Sequence, residues 1–387
     1  MEPSGSPVNS SLRTALLATA LAFAWQSLTV HYNYQGNWTA LFCTGSAFAV
    51  PPLAEFQGTY MFSGSTGYDG QFYRYVAHDP LDMRGLSRWV DAPRLRYTRI
   101  FTPLAAYTAA LGMPGAVDGA YYAVTLGFLF LGVYWGSRYA VECGHNAMWG
   151  LGFLLVPAVL VSLDRMTVDM ALAALCCGWA RCWGRGKRAS AGGYALLAAL
   201  PLVRECGVLV SVASMVRPIR ERRLRDLAWC ALTLLPCAGW YGFVVRHTGP
   251  VSPRWASSRP LGGWMYRMLN PVAYPASVPL RPLVIFLDYA ALAGILLAAV
   301  FAALLWLRHR NGTTEAALVL FAALAVQGNW TELWTDAFAF GRVFSPLLLL
   351  LAFKALEMRK AWPALPLALV TGRILAQFGA QIPGMLS

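Results

Sequence analysis

Residues 283–307 read LVIFLDYAALAGILLAAVFAALLWL, and Asp288 is the only charged residue in the run. A helix rises about 1.5 Å per residue, so this stretch is long enough to cross a hydrocarbon layer about 30 Å thick. It carries no polar stripe of the kind a surface helix of a soluble protein needs. Further apolar runs lie on either side of it, at 12–30, 119–137, 146–163, 226–246 and 361–378. Shorter or interrupted ones occupy 168–183, 191–203, 206–217, 314–327 and 342–356. A piece at 100–111 is too short to cross and reads as re-entrant or interfacial. The expected fold is an all-α polytopic membrane protein, one domain over residues 1–387 with about eleven transmembrane helices.

Composition agrees. Hydrophobic residues make up 57% of the chain and charged residues only 13%, against about 25% in soluble domains. The net charge of +13 does not indicate a nucleic-acid partner, because the basic residues fall in short loops between apolar runs. Residues 185–188, 217–225, 308–310 and 359–360 are such loops and are assigned to the cytoplasm. Arg13 places the N-terminus there too, with 12–30 read as an uncleaved first span rather than a signal peptide. Between the first two basic loops the chain crosses as a hairpin with Arg204-Glu205 at its outer tip. Two long extracytoplasmic loops result, 31–99 and 247–282. The first is rich in aromatic residues and is expected to fold as short amphipathic helices at the membrane surface.

Candidate chemistry gathers in that first loop. Gly67-Tyr68-Asp69-Gly70-Gln71-Phe72-Tyr73-Arg74 holds a carboxylate between two glycines, at the expected start of a short helix. Capping that helix would be its ordinary structural role. Arg88, Arg94, Arg96 and Arg99 follow on the same side, against the positive-inside tendency. Guanidinium groups grip phosphate in bidentate fashion, which makes a lipid phosphate a suitable partner. Ion pairing with Asp79, Asp82 and Asp91 is the alternative. Asp164, Arg165, Asp169, Arg204, Glu205 and Arg342 sit at the ends of apolar runs, level with this loop, and predict one outward-facing polar cavity, with pairing among themselves as the alternative. The eight cysteines and five histidines show no metal-ligand spacing, so no metal site is assigned.

These pieces together resemble a known group. The Tyr68-Asp69-Gly70-Gln71-Phe72-Tyr73 setting precedes Arg96-Tyr97-Thr98-Arg99-Ile100-Phe101-Thr102-Pro103-Leu104. Asp164-Arg165-Met166-Thr167-Val168-Asp169, Leu202-Val203-Arg204-Glu205 and Gly341-Arg342-Val343-Phe344-Ser345-Pro346 come later. The chain is similar to the GT-C superfamily of polyprenyl-phosphate-sugar-dependent membrane glycosyltransferases, in particular to bacterial relatives of the GPI mannosyltransferases. The resemblance implies a GT-C-like bundle in the bacterial inner membrane, with its active site on the extracytoplasmic side. It implies a polyprenyl-phosphate-linked sugar donor among the membrane lipids and Asp69 as general base on the acceptor hydroxyl. Tyr68, Gln71, Tyr73, Arg74, Arg94, Arg96, Arg99, Arg204 and Arg342 would then meet substrate or phosphate, with Asp79, Asp164, Asp169 and Glu205 elsewhere in the cavity. Many members carry two acidic residues in this loop, whereas Asp69 stands alone, so a divalent cation stays open as a cofactor. A lipid or solute transporter and a non-catalytic accessory subunit are the alternatives.

Overall fold

The computed structural model describes residues 7–184, 190–249, 259–276, 278, 280–310 and 312–386. The basic residues 185–188, Trp255 and part of the second long loop lie outside the described residues. The chain opens with α1 (Pro7–Asn33) and enters a region of short pieces. These are 3-10 turns, a parallel pair β1 (Thr44–Gly45) and β2 (Met61–Phe62) with Thr44 opposite Met61, and helices α2 (Asp69–His78), α3 (Pro93–Thr98) and α4 (Phe101–Ala109). The bundle follows as α5 (Pro114–Glu142), a 3-10 segment Ala147–Leu155 that runs into α6 (Pro157–Arg165), α7 (Asp169–Trp183), α8 (Ala191–Val203), α9 (Val208–Arg220), α10 (Leu224–Leu232) and α11 (Leu235–His247). After α12 (Gly262–Leu269) come α13 (Arg281–Arg308), α14 (Thr313–Gln327), α15 (Ala337–Val343), α16 (Ser345–Met358), α17 (Leu365–Leu375) and α18 (Ile382–Leu386).

Among the described residues three helices are long and apolar enough to cross a membrane: α5, the continuous α10–α11 run and α13. Two bent pairs raise the number to five if each is one span. The other apolar runs read as crossings form helices of 15 residues or fewer, apart from α1, which is long but more polar. The bends have a local cause. Ala147–Leu155 meets α6 at 63° beside Pro157, and α15 meets α16 at 60° beside Pro346, where proline removes a helical hydrogen bond. Broken backbone at such depth is tolerated where protein surrounds it.

The helix buried on all sides is α7. It reads DMALAALCCGWARCW, and its alanines, cysteines and glycine let α5, α8 and α16 approach closely. Side chains facing away from the bundle include Leu16, Leu21, Phe286 and Leu307, all more than half exposed, the surface that lipid would cover.

Charges mark the two ends of the bundle. Asp118 near the start of α5 meets Arg74 of α2, while Glu142 at its end pairs with Arg181 near the end of α7. Those two acids are 24 residues apart (142 − 118), about 36 Å along a helix, close to the thickness of a bilayer core. Lys354, gripped by Glu315 and Glu357, lies at the Glu142 end.

The short helix α2 departs from expectation. Rather than lying on a surface, it has nine of its ten residues buried within the protein. Tyr73 and Ala77 belong to the main bundle core, whereas Phe72, Tyr75 and Val76 join a second core with Tyr97, Ile100 and Val244. The helix is a wedge between two cores.

Candidate functional site

Two glycines put Asp69 where it is. Gly67 turns the chain with φ +69°, a conformation that side chains disfavour, and any Cβ there would lie 2.5 Å from the Cys43 carbonyl oxygen. A Cβ on Gly70 would lie 2.1 Å from the carbonyl oxygen of Arg165, so only glycine lets α2 approach the end of α6. Gln71 locks this turn: its Oε1 accepts from the Gly45 N–H at 3.2 Å and its Nε2 donates to the Thr66 carbonyl at 2.9 Å. Both side-chain ends are thus engaged in holding the loop, and Gln71 also lines the cleft beside Asp69.

Asp69 is the first residue of α2 and meets two guanidinium groups. Arg96 donates from Nη2 to Oδ1 and from Nη1 to Oδ2, each at 2.9 Å, and Arg342 Nη1 lies 2.6 Å from Oδ2. Arg96 also forks onto Asp91, with Nε and Nη2 at 2.9 and 2.8 Å. The same Arg342 nitrogen stands 3.5 Å from Asp169, whose other oxygen is held by Arg204. Arg204 lies 4.0 Å from Glu205, which accepts from Arg99 at 2.5 and 2.8 Å. The circuit closes at Tyr73, whose hydroxyl accepts from Arg99 at 2.9 Å and from Arg96 at 3.4 Å. Residues from five places in the sequence therefore form one ring, with the guanidinium groups beneath and Asp69, Asp91 and Glu205 toward the rim.

Electrostatics follow from this geometry. Burial pushes the Asp69 carboxyl up, but Arg342 and Arg96 outweigh it and hold the group well below the usual carboxylate range. Glu205 is held low in the same way by Arg99. Burial pushes the Tyr68 phenol up to about 12, so it is a hydrogen-bond donor and not a base. Two guanidinium groups lie over its ring, Arg165 at 4.5 Å and Arg342 at 4.8 Å from the centroid.

Beside Asp69 opens a cleft of about 250 Å³ lined by Phe48, Thr66, Tyr68, Phe72 and Asp91, among others. A larger hollow of about 360 Å³ on α11, lined by Phe243, Arg246 and His247, has no carboxylate in its wall and lies apart from the ring.

Of the residues expected at the site, Tyr68, Asp69, Tyr73, Arg96, Arg99, Asp169, Arg204, Glu205 and Arg342 come together. Three do not. Arg74 turns to the far side of α2 and forks onto Asp118 at 2.7–3.1 Å, where His78 joins it. Arg94 donates to the Val245 and Thr248 carbonyls at the end of α11. Asp79 accepts from the N–H groups of Met83, Arg84 and Leu86, organising a turn. Asp164 stands next door, paired with Arg165 and Gln381. Asp91, weighed from sequence only as an ion-pair partner, is part of the ring, and Arg165 stacks against it through Tyr68. Arg165 was legible, with Asp164, as a charge at the end of an apolar run.

A divalent cation finds poor terms here. Asp69 and Asp169 are both engaged by guanidinium groups, and among the described residues no group of three or more His, Cys, Asp or Glu is placed to hold a metal. No family model, curated protein or solved structure matches the chain.

Proposed function

We propose that this chain is a multi-pass membrane glycosyltransferase that moves a sugar from a polyprenyl-phosphate-linked donor to an acceptor hydroxyl, on the extracytoplasmic side of a bacterial inner membrane. The observation that carries the reading is Asp69, a carboxylate at the edge of a cleft with Arg96 and Arg342 against its other side. Sugar transfer from a lipid phosphate needs those two chemistries at one point. The acceptor oxygen attacks the anomeric carbon with inversion, and its proton passes to Asp69. The bond from that carbon to the phosphate oxygen breaks, and the electron pair leaves with the phosphate. Arg96 and Arg342 balance the charge that develops there. Phe48 and Phe72 offer apolar faces beside the cleft, suited to a sugar ring, and Asp91 a hydroxyl partner.

Replacing Asp69 by asparagine is expected to lower transfer from a radiolabelled polyprenyl-phosphate sugar by roughly 10²–10⁴-fold in membranes, with expression intact. Transfer at the wild-type rate would end this reading. A second reading, a non-catalytic binder of lipid phosphate, is favoured by one fact: a carboxylate held this low is a weak base. That reading expects no transfer by the wild-type protein either.

A further inference from the structure

Four guanidinium groups in the ring, those of Arg96, Arg99, Arg204 and Arg342, face four carboxylates, those of Asp69, Asp91, Asp169 and Glu205. The charges cancel. A phosphate entering here meets no surplus cation, and burying it among four carboxylates is unfavourable unless one of them lets go. Geometry singles out which. Asp169 is 1% exposed and fixed at the start of α7, so it has nowhere to go. Asp91 engages one arginine, Arg96, and the Ala92 N–H, and Glu205 is forked by Arg99. Asp69 borders the cleft and, of the four, is held by two different arginines that both lie within 3 Å, through three nitrogens. Around it two buried donors remain unused among the described residues: Nε of Arg342 and the hydroxyl of Tyr68. Neither donor has a hydrogen bond to Asp69. A tetrahedral phosphate has more acceptor positions, arranged in three dimensions.

We infer that Asp69 sits in the seat of a phosphate, acting as an internal competitor for the two guanidinium groups that a lipid phosphate takes. The inference rests on the reading of the site as one for lipid phosphate, and adds that the carboxylate yields its arginines on binding. Release has a chemical consequence. Once Arg96 and Arg342 turn to the phosphate, Asp69 becomes an ordinary carboxylate facing the cleft, able to accept a proton. The base is thus armed by the donor, and the acceptor hydroxyl is not deprotonated before the donor is in place.

The experiment is equilibrium binding of farnesyl phosphate, and separately of inorganic phosphate, to the full chain in nanodiscs of neutral lipid. Asp69→Asn and Asp69→Ser are compared with wild type. Both variants are expected to bind farnesyl phosphate roughly tenfold or more tighter, the change that about 1.4 kcal/mol of released pairing produces. A gain for farnesyl phosphate alone assigns the seat to a lipid headgroup, and an equal gain for inorganic phosphate assigns it to the free ion. Because removing Asp69 leaves buried arginines short of a partner, the ligand-induced rise in melting temperature is read as well. It is expected to be larger in both variants than in wild type. Variants that bind no tighter, or that stay unfolded with farnesyl phosphate present, overturn the inference while leaving wild-type sugar transfer standing. If no protein, wild type included, binds either phosphate, the inference falls together with the functional reading beneath it.

Discussion

Burial by itself raises a carboxyl, yet at Asp69 two guanidinium groups more than reverse the effect. The pairing adds stability that is present above the pKa of the unfolded carboxyl and is lost as pH falls through the lower folded value. It also gives a kinetic signature. The profile of kcat/KM reports the free enzyme and is expected to show no acid limb in the usual carboxylate range, whereas kcat, reporting the donor complex, is expected to gain one there. A limb at the ordinary aspartate position in kcat/KM would contradict the pairing. Charges at the ends of apolar runs made Arg204, Glu205, Asp169 and Arg342 legible in the sequence, because such positions are unfavourable unless paired. Helical phase decided what was misread. Tyr73 lies about 40° round α2 from Asp69, but Arg74 lies about 140° round and faces Asp118 instead. Asp79 is ten residues on, about 15 Å along the axis, too far to reach the ring.

The element that matters most is α2 with the turn before it. Its glycines carry a prediction, since Gly70 touches the Arg165 carbonyl while Gly119 of α5 has open space around it. Gly70→Ala is expected to destabilise by about 1–3 kcal/mol and to displace Asp69, lowering both melting temperature and transfer. Gly119→Ala, with room for a methyl group on a helix, is expected to be neutral or slightly stabilising. Equal behaviour of the two variants in a thermal melt would show that the close approach at Gly70 is unimportant. The existence of this helix was readable from Phe72, Tyr73, Val76 and Ala77. Its setting was not, because those residues divide between two cores and the polar side chains of Arg74 and His78 are spent on an internal partner. A pattern that mixes apolar and charged residues looks amphipathic whether the polar side faces water or a buried aspartate.

Across the whole molecule, two layers of charge are separated by apolar helices, and the proposed function requires the Asp69 layer to face outside. Cysteine placed at Met83, which is 84% exposed beside α2, is expected to react with an impermeant maleimide on intact cells. Cysteine at Leu224, 76% exposed within the arginine-rich stretch, is expected to react only after the membrane is opened. The reverse pattern would put the ring on the cytoplasmic face and remove the proposed role. Composition and the run at 283–307 sufficed to read an all-α protein with membrane-length helices. They did not reveal the bends at Pro157 and Pro346, because an apolar run reads the same whether its helix is straight or broken. The measurement that bears most directly on the account is a structure with a non-reactive polyprenyl-phosphate sugar bound. It is expected to show the phosphate against Arg96 and Arg342, with the Asp69 carboxylate turned to the cleft. A phosphate seated elsewhere, with the pairs from Asp69 to Arg96 and Arg342 unbroken, would contradict it.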